Sequence, residues 1–278
     1  MSVLSKDSTR IFYKISAKFF ATSVFSCLVT STLFLPSLIL FTPSAQAQAR
    51  KVRYVPPSNL DAPKVSSSGI SRTDSFTPLE PRLEPNLEPR SSLTDVDMLP
   101  VPQTTSERPT IYFISPKVAG YGVFTLIEQN DRLTPSQKAV YRKEFSLQNE
   151  AGIIAFKMPE DAPIMEIGKI YHWRIDFGRD TEAKTTYGMI KRVLPTAKLV
   201  NQLKNISKPI DRAALFAQEG IWFETVQTLA EAQQTTPTSG EIVDEWTDLM
   251  KSNNLSMVLE YRFVPQLRTK ESVPLPNP

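Results

Sequence analysis

His172 and Cys27 are the sole histidine and the sole cysteine among 278 residues, so the side chains that most often carry nucleophilic and metal chemistry are nearly absent. A multi-histidine metal site, a zinc ribbon, an iron–sulfur cluster and a Cys–His nucleophile pair all lack their ligands. His172 alternates with Arg174 and Asp176 along an expected strand. On such a face His172 and Asp176 stand about 13 Å apart, too far to couple. There is no Gly-x-Ser-x-Gly elbow and no phosphate-cradling glycine loop. Glu150, Glu160, Asp161 and Glu166 remain as carboxylates for an acid–base pair, but nothing in their spacing pairs them. The residues point to no catalytic group, no cofactor and no metal, which moves the question to recognition and to the elements that would support it.

The chain opens with Lys6, Arg10, Lys14 and Lys18, continues in an apolar run from Phe19 to Phe41 broken at Pro36, and reaches Ala45-Gln46-Ala47. That order is the pattern of an export signal over residues 1–47, cut before Gln48, with Ala47-Gln48-Ala49 as a second site. Cys27 lies inside the run and leaves with it. Uncut, the run is long enough to span a bilayer and would be the membrane contact of the chain. Loss of residues 1–49 removes four of the 32 basic residues and one of the 29 acids, leaving 28 of each. A neutral mature chain gives no support to a nucleic-acid partner. Without cysteine, the exported part, in the periplasm or at the cell surface, must hold its fold by core packing alone.

Residues 48–103 read as a disordered, proline-rich spacer. Its centre is a four-residue repeat, Leu79-Glu80-Pro81-Arg82, Leu83-Glu84-Pro85-Asn86 and Leu87-Glu88-Pro89-Arg90. Each proline fixes its own φ and biases its predecessor away from the helix, so the segment is expected to be extended, about 3.1 Å per residue.

From Pro109 the apolar period becomes two. Strands are expected at 109–115, 120–128, 139–147, 152–158, 169–178 and 185–193, punctuated by Gly120, Pro135, Gly152, Pro159, Pro163, Gly168 and Gly178. This spacing predicts an antiparallel β-sandwich over 104–194. In the clearest strand Tyr171, Trp173, Ile175 and Phe177 point one way and His172, Arg174 and Asp176 the other. The approach Met165-Glu166-Ile167-Gly168-Lys169-Ile170-Tyr171 resembles the tyrosine corner of immunoglobulin and fibronectin type III domains, which makes Tyr171 structural through a hydroxyl bonded to upstream backbone.

After Pro195 the period is helical, so the fold class is α+β, with a helical region over 195–265 packed on the sandwich. Thr196 is placed to cap one helix, Pro209 to open another, and Thr238 with Glu241 to form a capping box. Between them Gly220, Trp222, Leu229, Ala232 and Pro237 make the stretch similar to the second half of a tetratricopeptide repeat, with Thr225 where that repeat prefers alanine. Gly220, Trp222 and Trp246 are therefore expected to be structural, like Tyr171 and Trp173. Residues 266–278 read as a disordered tail.

Four segments taken as a set resemble a cyanobacterial family of exported proteins known only as a domain of unknown function, family 928. They are Thr104-Thr105-Ser106-Glu107-Arg108-Pro109-Thr110, Glu144-Phe145-Ser146-Leu147, Gly168-Lys169-Ile170-Tyr171-His172-Trp173, and Arg212 through Phe223. The resemblance implies an envelope location and brings no activity or catalytic residue. Many members carry cysteines near the strand after Tyr-His-Trp; Asp176 to Asp180 has none. The expectation is a non-catalytic protein-binding or scaffold module whose partner is another exported or envelope protein. The alternative is a carbohydrate-binding or carbohydrate-processing module, which would need exposed coplanar aromatics among Tyr121, Tyr141, Tyr187, Trp222 and Trp246.

Overall fold

Alternation of apolar and polar residues marks the clearest strand of a five-stranded sheet, and its absence marks a three-stranded one. A computed structural model describes residues 51–58, 62–63, 76–82, 98–99, 101–129, 135–178 and 184–264. They fall within the unit Ala47–Pro278. The expected signal, 1–47, and the tail, 266–278, lie outside the described residues, as does the repeat from Leu83 to Arg90. The strands are β1 (Ala62–Pro63), β2 (Thr77–Pro78), β3 (Met98–Leu99), β4 (Gln103–Thr104), β5 (Thr110–Ser115), β6 (Val118–Gln129), β7 (Pro135–Asn149), β8 (Gly152–Lys157), β9 (Ile170–Phe177) and β10 (Lys184–Arg192). A five-stranded sheet has the order β4-β10-β9-β6-β7, a three-stranded sheet the order β2-β5-β8, and β1 pairs with β3. All pairings are antiparallel except β4 against β10.

In β9 the residues Tyr171, Trp173, Ile175 and Phe177 are buried, while Arg174 is exposed and His172 and Asp176 half-buried. By contrast β5, Thr110-Ile111-Tyr112-Phe113-Ile114-Ser115, is buried at every position, and β8 at all but Lys157. The reason is cover on both faces. Phe156 of β8 stacks on Phe124 of β6 at 4.6 Å and meets Phe145 of β7 at 5.6 Å. On the opposite face β5 packs against a helix, so no position is left to face water and a continuous apolar run results.

Four helices follow: α1 (Ala197–Lys204), α2 (Pro209–Gln218), α3 (Trp222–Thr235) and α4 (Gly240–Ser252), then a 3-10 turn over Ser256–Glu260. Thr196 caps α1 by accepting from the Leu199 N–H at 3.1 Å. Gly220 joins α2 to α3 at φ +74°, a left-handed conformation that glycine adopts without a Cβ penalty. The expected Thr238–Glu241 capping box does not form. The N-cap is Ser239, with no side-chain cap bond, because α4 begins one residue too late for Thr238 to reach its first turn.

The spacer expected over 48–103 needs a larger correction. Val52, Tyr54, Phe76, Leu79 and Val101 are all buried. Residues 51–55 alternate outward and inward beside the helices, with the Val55 N–H bonded to the Ala217 carbonyl at 3.0 Å and the Val52 N–H to Glu245 Oε2 at 2.7 Å. Residues 76–82 form a strap that pairs Thr77 and Pro78 with Ile114 and Phe113 of β5. Proline removes a donor but does not forbid an edge strand, and β2 lies at an edge.

The remaining edges are treated unequally. β4 covers β10. On β8 the Ile153 N–H donates to the Arg262 carbonyl at 2.7 Å and the Ile153 carbonyl accepts from the Val264 N–H at 3.0 Å. Gly152 permits this approach, since a Cβ there would meet Val264 and stand 2.6 Å from the Arg262 carbonyl. Among the described residues no strand pairs with the outer side of the fifteen-residue β7.

Candidate functional site

Helix α3 presents two chemically different sides. Trp222, Phe223, Val226, Leu229 and Ala230 are buried in the main core, whereas Glu224, Gln227, Thr228, Glu231 and Thr235 line a groove of about 630 Å³ facing Pro209, Arg212 and Phe216 of α2. This polar ridge recurs at three- and four-residue spacing, so it runs along one side of the helix.

Glu224 closes one end. Its Oε1 accepts from Thr104 Oγ1 at 2.8 Å, the Thr105 N–H at 2.8 Å, Thr105 Oγ1 at 2.9 Å and the Ser106 N–H at 2.9 Å. Four donors to one oxygen fix the carboxylate and tie the end of β4 to the first turn of α3. Arg212 builds the other wall: its Nη1 donates to the carbonyls of Leu203 and Ile206 at 3.2 and 3.3 Å, holding the end of α1. Gln227 Nε2 donates to Glu231 Oε1 at 2.7 Å at the groove surface. Such a surface offers amide, hydroxyl and carboxylate groups for polar recognition.

The five residues expected to be structural sit in or beside the core. Tyr171 is buried and its hydroxyl accepts from the Glu166 N–H at 3.0 Å. Trp173 is fully buried and its Nε1 donates to Glu80 Oε1 at 2.8 Å. Trp222 is fully buried, donates from Nε1 to the Leu79 carbonyl at 2.7 Å, and meets Tyr54 edge-on at 4.8 Å. At Gly220 a Cβ would stand 3.1 Å from the Val55 carbonyl. Trp246 is buried against Phe263 at 5.3 Å. Thr225, which departs from the alanine of the tetratricopeptide pattern, is buried with its hydroxyl donating to the Ile221 carbonyl at 2.6 Å.

Tyr171→Phe is expected to cost about 1 kcal/mol, the ordinary net value of a neutral hydrogen bond. Glu166 is exposed, so water can take over its N–H. A urea midpoint equal to that of the wild type would exclude a structural contribution from the hydroxyl.

The candidate acid–base groups are dispersed. Glu150 pairs with Lys117 at 2.8 Å and Glu166 with Lys169 at 3.0 Å. Asp161 accepts from Lys143 Nζ at 2.9 Å and Tyr141 Oη at 2.8 Å, and these two bonds, the lysine's foremost, lower its carboxyl pKa. The ring of His172 is 3.0 Å from Gln129 Oε1, and burial lowers its pKa. Arg174 pairs with Asp176 at 2.7 Å. Among the described residues no three His, Cys, Asp or Glu side chains gather as metal ligands, and no helix is long and apolar enough to cross a membrane.

The groove joins two of the four segments singled out in the sequence: Thr104 to Ser106 reaches Glu224, immediately after Arg212 to Phe223. A family profile described as Domain of Unknown Function (DUF928) matches residues 67–263. The chain belongs to this family. The matched range begins before the strap and ends at Phe263, beside the edge of β8, so the family unit includes residues that read as a spacer. No curated protein matches the chain. Among solved structures it is similar, at 12% identity and a TM-score of 0.21, to Astrotactin-2, described as a conserved vertebrate-specific and perforin-like membrane protein involved in neuronal development. That likeness covers 62% of this chain and 39% of the other, and is too slight to carry the fold.

Neither Glu224 nor Glu80 stands out in the sequence as a site residue. Glu224 followed directly on a motif already singled out, but its donors lie 118 to 120 residues away. Glu80 was hidden in the proline repeat, where its buried neighbour Leu79 was the available signal.

Proposed function

We propose that this protein is an exported, non-catalytic module that binds another envelope protein, with the groove between α2 and α3 as its docking surface. Export rests on the basic start, apolar run and small-residue site of residues 1–47. The reading includes a sandwich of the immunoglobulin or fibronectin type III kind, supported by the bond from the Glu166 N–H to Tyr171. It also includes a tetratricopeptide-like hairpin, supported by the left-handed turn at Gly220 and the buried Trp222.

The observation that carries the reading is the polar ridge of α3. Gln227, Thr228 and Glu231 face a groove rather than the core, and their amide, hydroxyl and carboxylate groups match the donors and acceptors of an extended polypeptide. Carbohydrate binding has weaker support: Trp222 and Trp246 are buried, and the exposed aromatics Tyr121 and Tyr187 belong to β6 and β10, with β9 between them.

The test compares the wild type with Gln227→Ala/Glu231→Ala, immobilised against envelope extract. The wild type is expected to retain a discrete protein, and the double variant, with unchanged melting, to retain it about tenfold less, near 1.4 kcal/mol. Equal retention by both proteins, or retention of glycan alone, overturns the assignment.

A further inference from the structure

Glu80 stands at the crossing of the strap with both sheets. Its carboxyl lies over Gly188 of β10, where any Cβ would meet it. It accepts from Trp173 Nε1 of β9 at 2.8 Å and from the Met189 N–H of β10 at 3.4 Å. The adjacent residue, Leu79, donates its N–H to the Tyr112 carbonyl at 2.9 Å and accepts from Trp222 Nε1 at 2.7 Å. Two residues on, the Arg82 N–H donates to the Asn253 carbonyl at 3.1 Å and its carbonyl accepts from Asn254 Nδ2 at 3.0 Å. Seven residues thus engage both sheets, α3 and the end of α4.

The groups facing Glu80 are mostly neutral. From the N-terminal segment comes Tyr54, whose hydroxyl is pushed up by burial and by Glu80. From β9 and β10 come the Trp173 indole and the backbone at Gly188 and Met189. Arg82 of the strap itself keeps Nε and Nη2 buried and without partners. No cation forms an ion pair with Glu80 among the described residues. Glu80 is half-buried by surface area, with its carboxyl wedged against Gly188 and Trp173; a carboxylate held there without a countercharge costs more than a neutral carboxyl.

We propose that the strap, residues 76–82, is a proton-operated latch: the neutral Glu80 carboxyl seats it across the two sheets and the helices, and ionisation of that carboxyl unseats it. Because Leu79 and Glu80 are consecutive, withdrawal of Glu80 pulls on the bond to Trp222 as well. Burial raises Glu80 to about 8, against 4.5 for an ordinary carboxyl, and its two hydrogen bonds offset part of that rise. The folded form therefore binds the proton more tightly than the unfolded chain. The contribution of Glu80 to stability is complete below about 4.5, is lost as pH rises towards about 8, and is constant above it.

The test follows the indole N–H resonances of Trp173 and Trp222 in the full chain from about pH 6 to about pH 10. Both are expected to move in one step with a midpoint of about 8, with loss of exchange protection at Trp222. Glu80→Gln should abolish the step and Tyr54→Phe should leave it. The carboxyl carbon of Glu80, followed in the wild type, reports the same midpoint even if a variant fails to fold. A carboxyl midpoint at the ordinary carboxylate value overturns the proposal. So does a step confined to Trp173, or one that survives Glu80→Gln and disappears in Tyr54→Phe.

Discussion

Trp222→Ala is expected to unfold the sheets and the helices in one transition, at a cost of about 3 to 5 kcal/mol. The loss has two components. The indole is fully buried, so its removal leaves a cavity beside Tyr54 that the surrounding helices and sheet fill only in part. The indole N–H is also the donor to the Leu79 carbonyl, and a buried acceptor without a donor adds to the penalty. Since Trp222 sits in α3 while its partner belongs to the strap paired with β5, neither part keeps its packing when the ring goes. Calorimetry of the wild type should give a single transition that moves as a whole in the variant. Two resolved transitions, with only one displaced, would show that the helices fold independently of the sheets.

Phe76→Ala separates a strap from a spacer more directly. In a spacer the side chain would touch little and its removal would change stability by a few tenths of a kcal/mol, as at ordinary surface sites. Here the ring is buried, 5.9 Å from Phe113 of β5 and 5.4 Å from Phe177 of β9. It joins one sheet to the other through a residue that belongs to neither regular element. A cost of about 3 to 5 kcal/mol is expected, read as a lower urea midpoint at unchanged slope. A variant that unfolds at the wild-type midpoint would return residues 76–82 to the surface.

What could be read in the sequence depended on the range of the interaction. β9 was plain because period two is local: Tyr171, Trp173, Ile175 and Phe177 announce a buried face by themselves. Thr196 and Pro209 likewise act within a turn. The strap was not legible because its partners are remote. Proline every fourth residue biases an isolated chain towards extension, whereas the sockets for Leu79 and Glu80 are supplied by Trp222, Trp173 and Gly188. The candidate groove failed for the same reason at one end and not at the other. The polar ridge of α3 lies within a short stretch as Gln227, Thr228 and Glu231 at helical spacing, though it was not singled out there, whereas the anchoring of Glu224 by Thr104, Thr105 and Ser106 required the tertiary fold.

The separation between partners also sets a timetable for synthesis. Val52 bonds Glu245 across 193 positions, Leu79 bonds Trp222 across 143, and Arg82 bonds Asn254 across 172. A chain made from its N-terminus brings out the strap first and its sockets last, so the core cannot close until α4 has emerged. Contacts of such range make folding slow and leave apolar segments such as β5 and β8 uncovered meanwhile. A nascent chain stopped before Trp222 should therefore remain protease-sensitive and depend on a holding chaperone, even though every strand of both sheets has already been made.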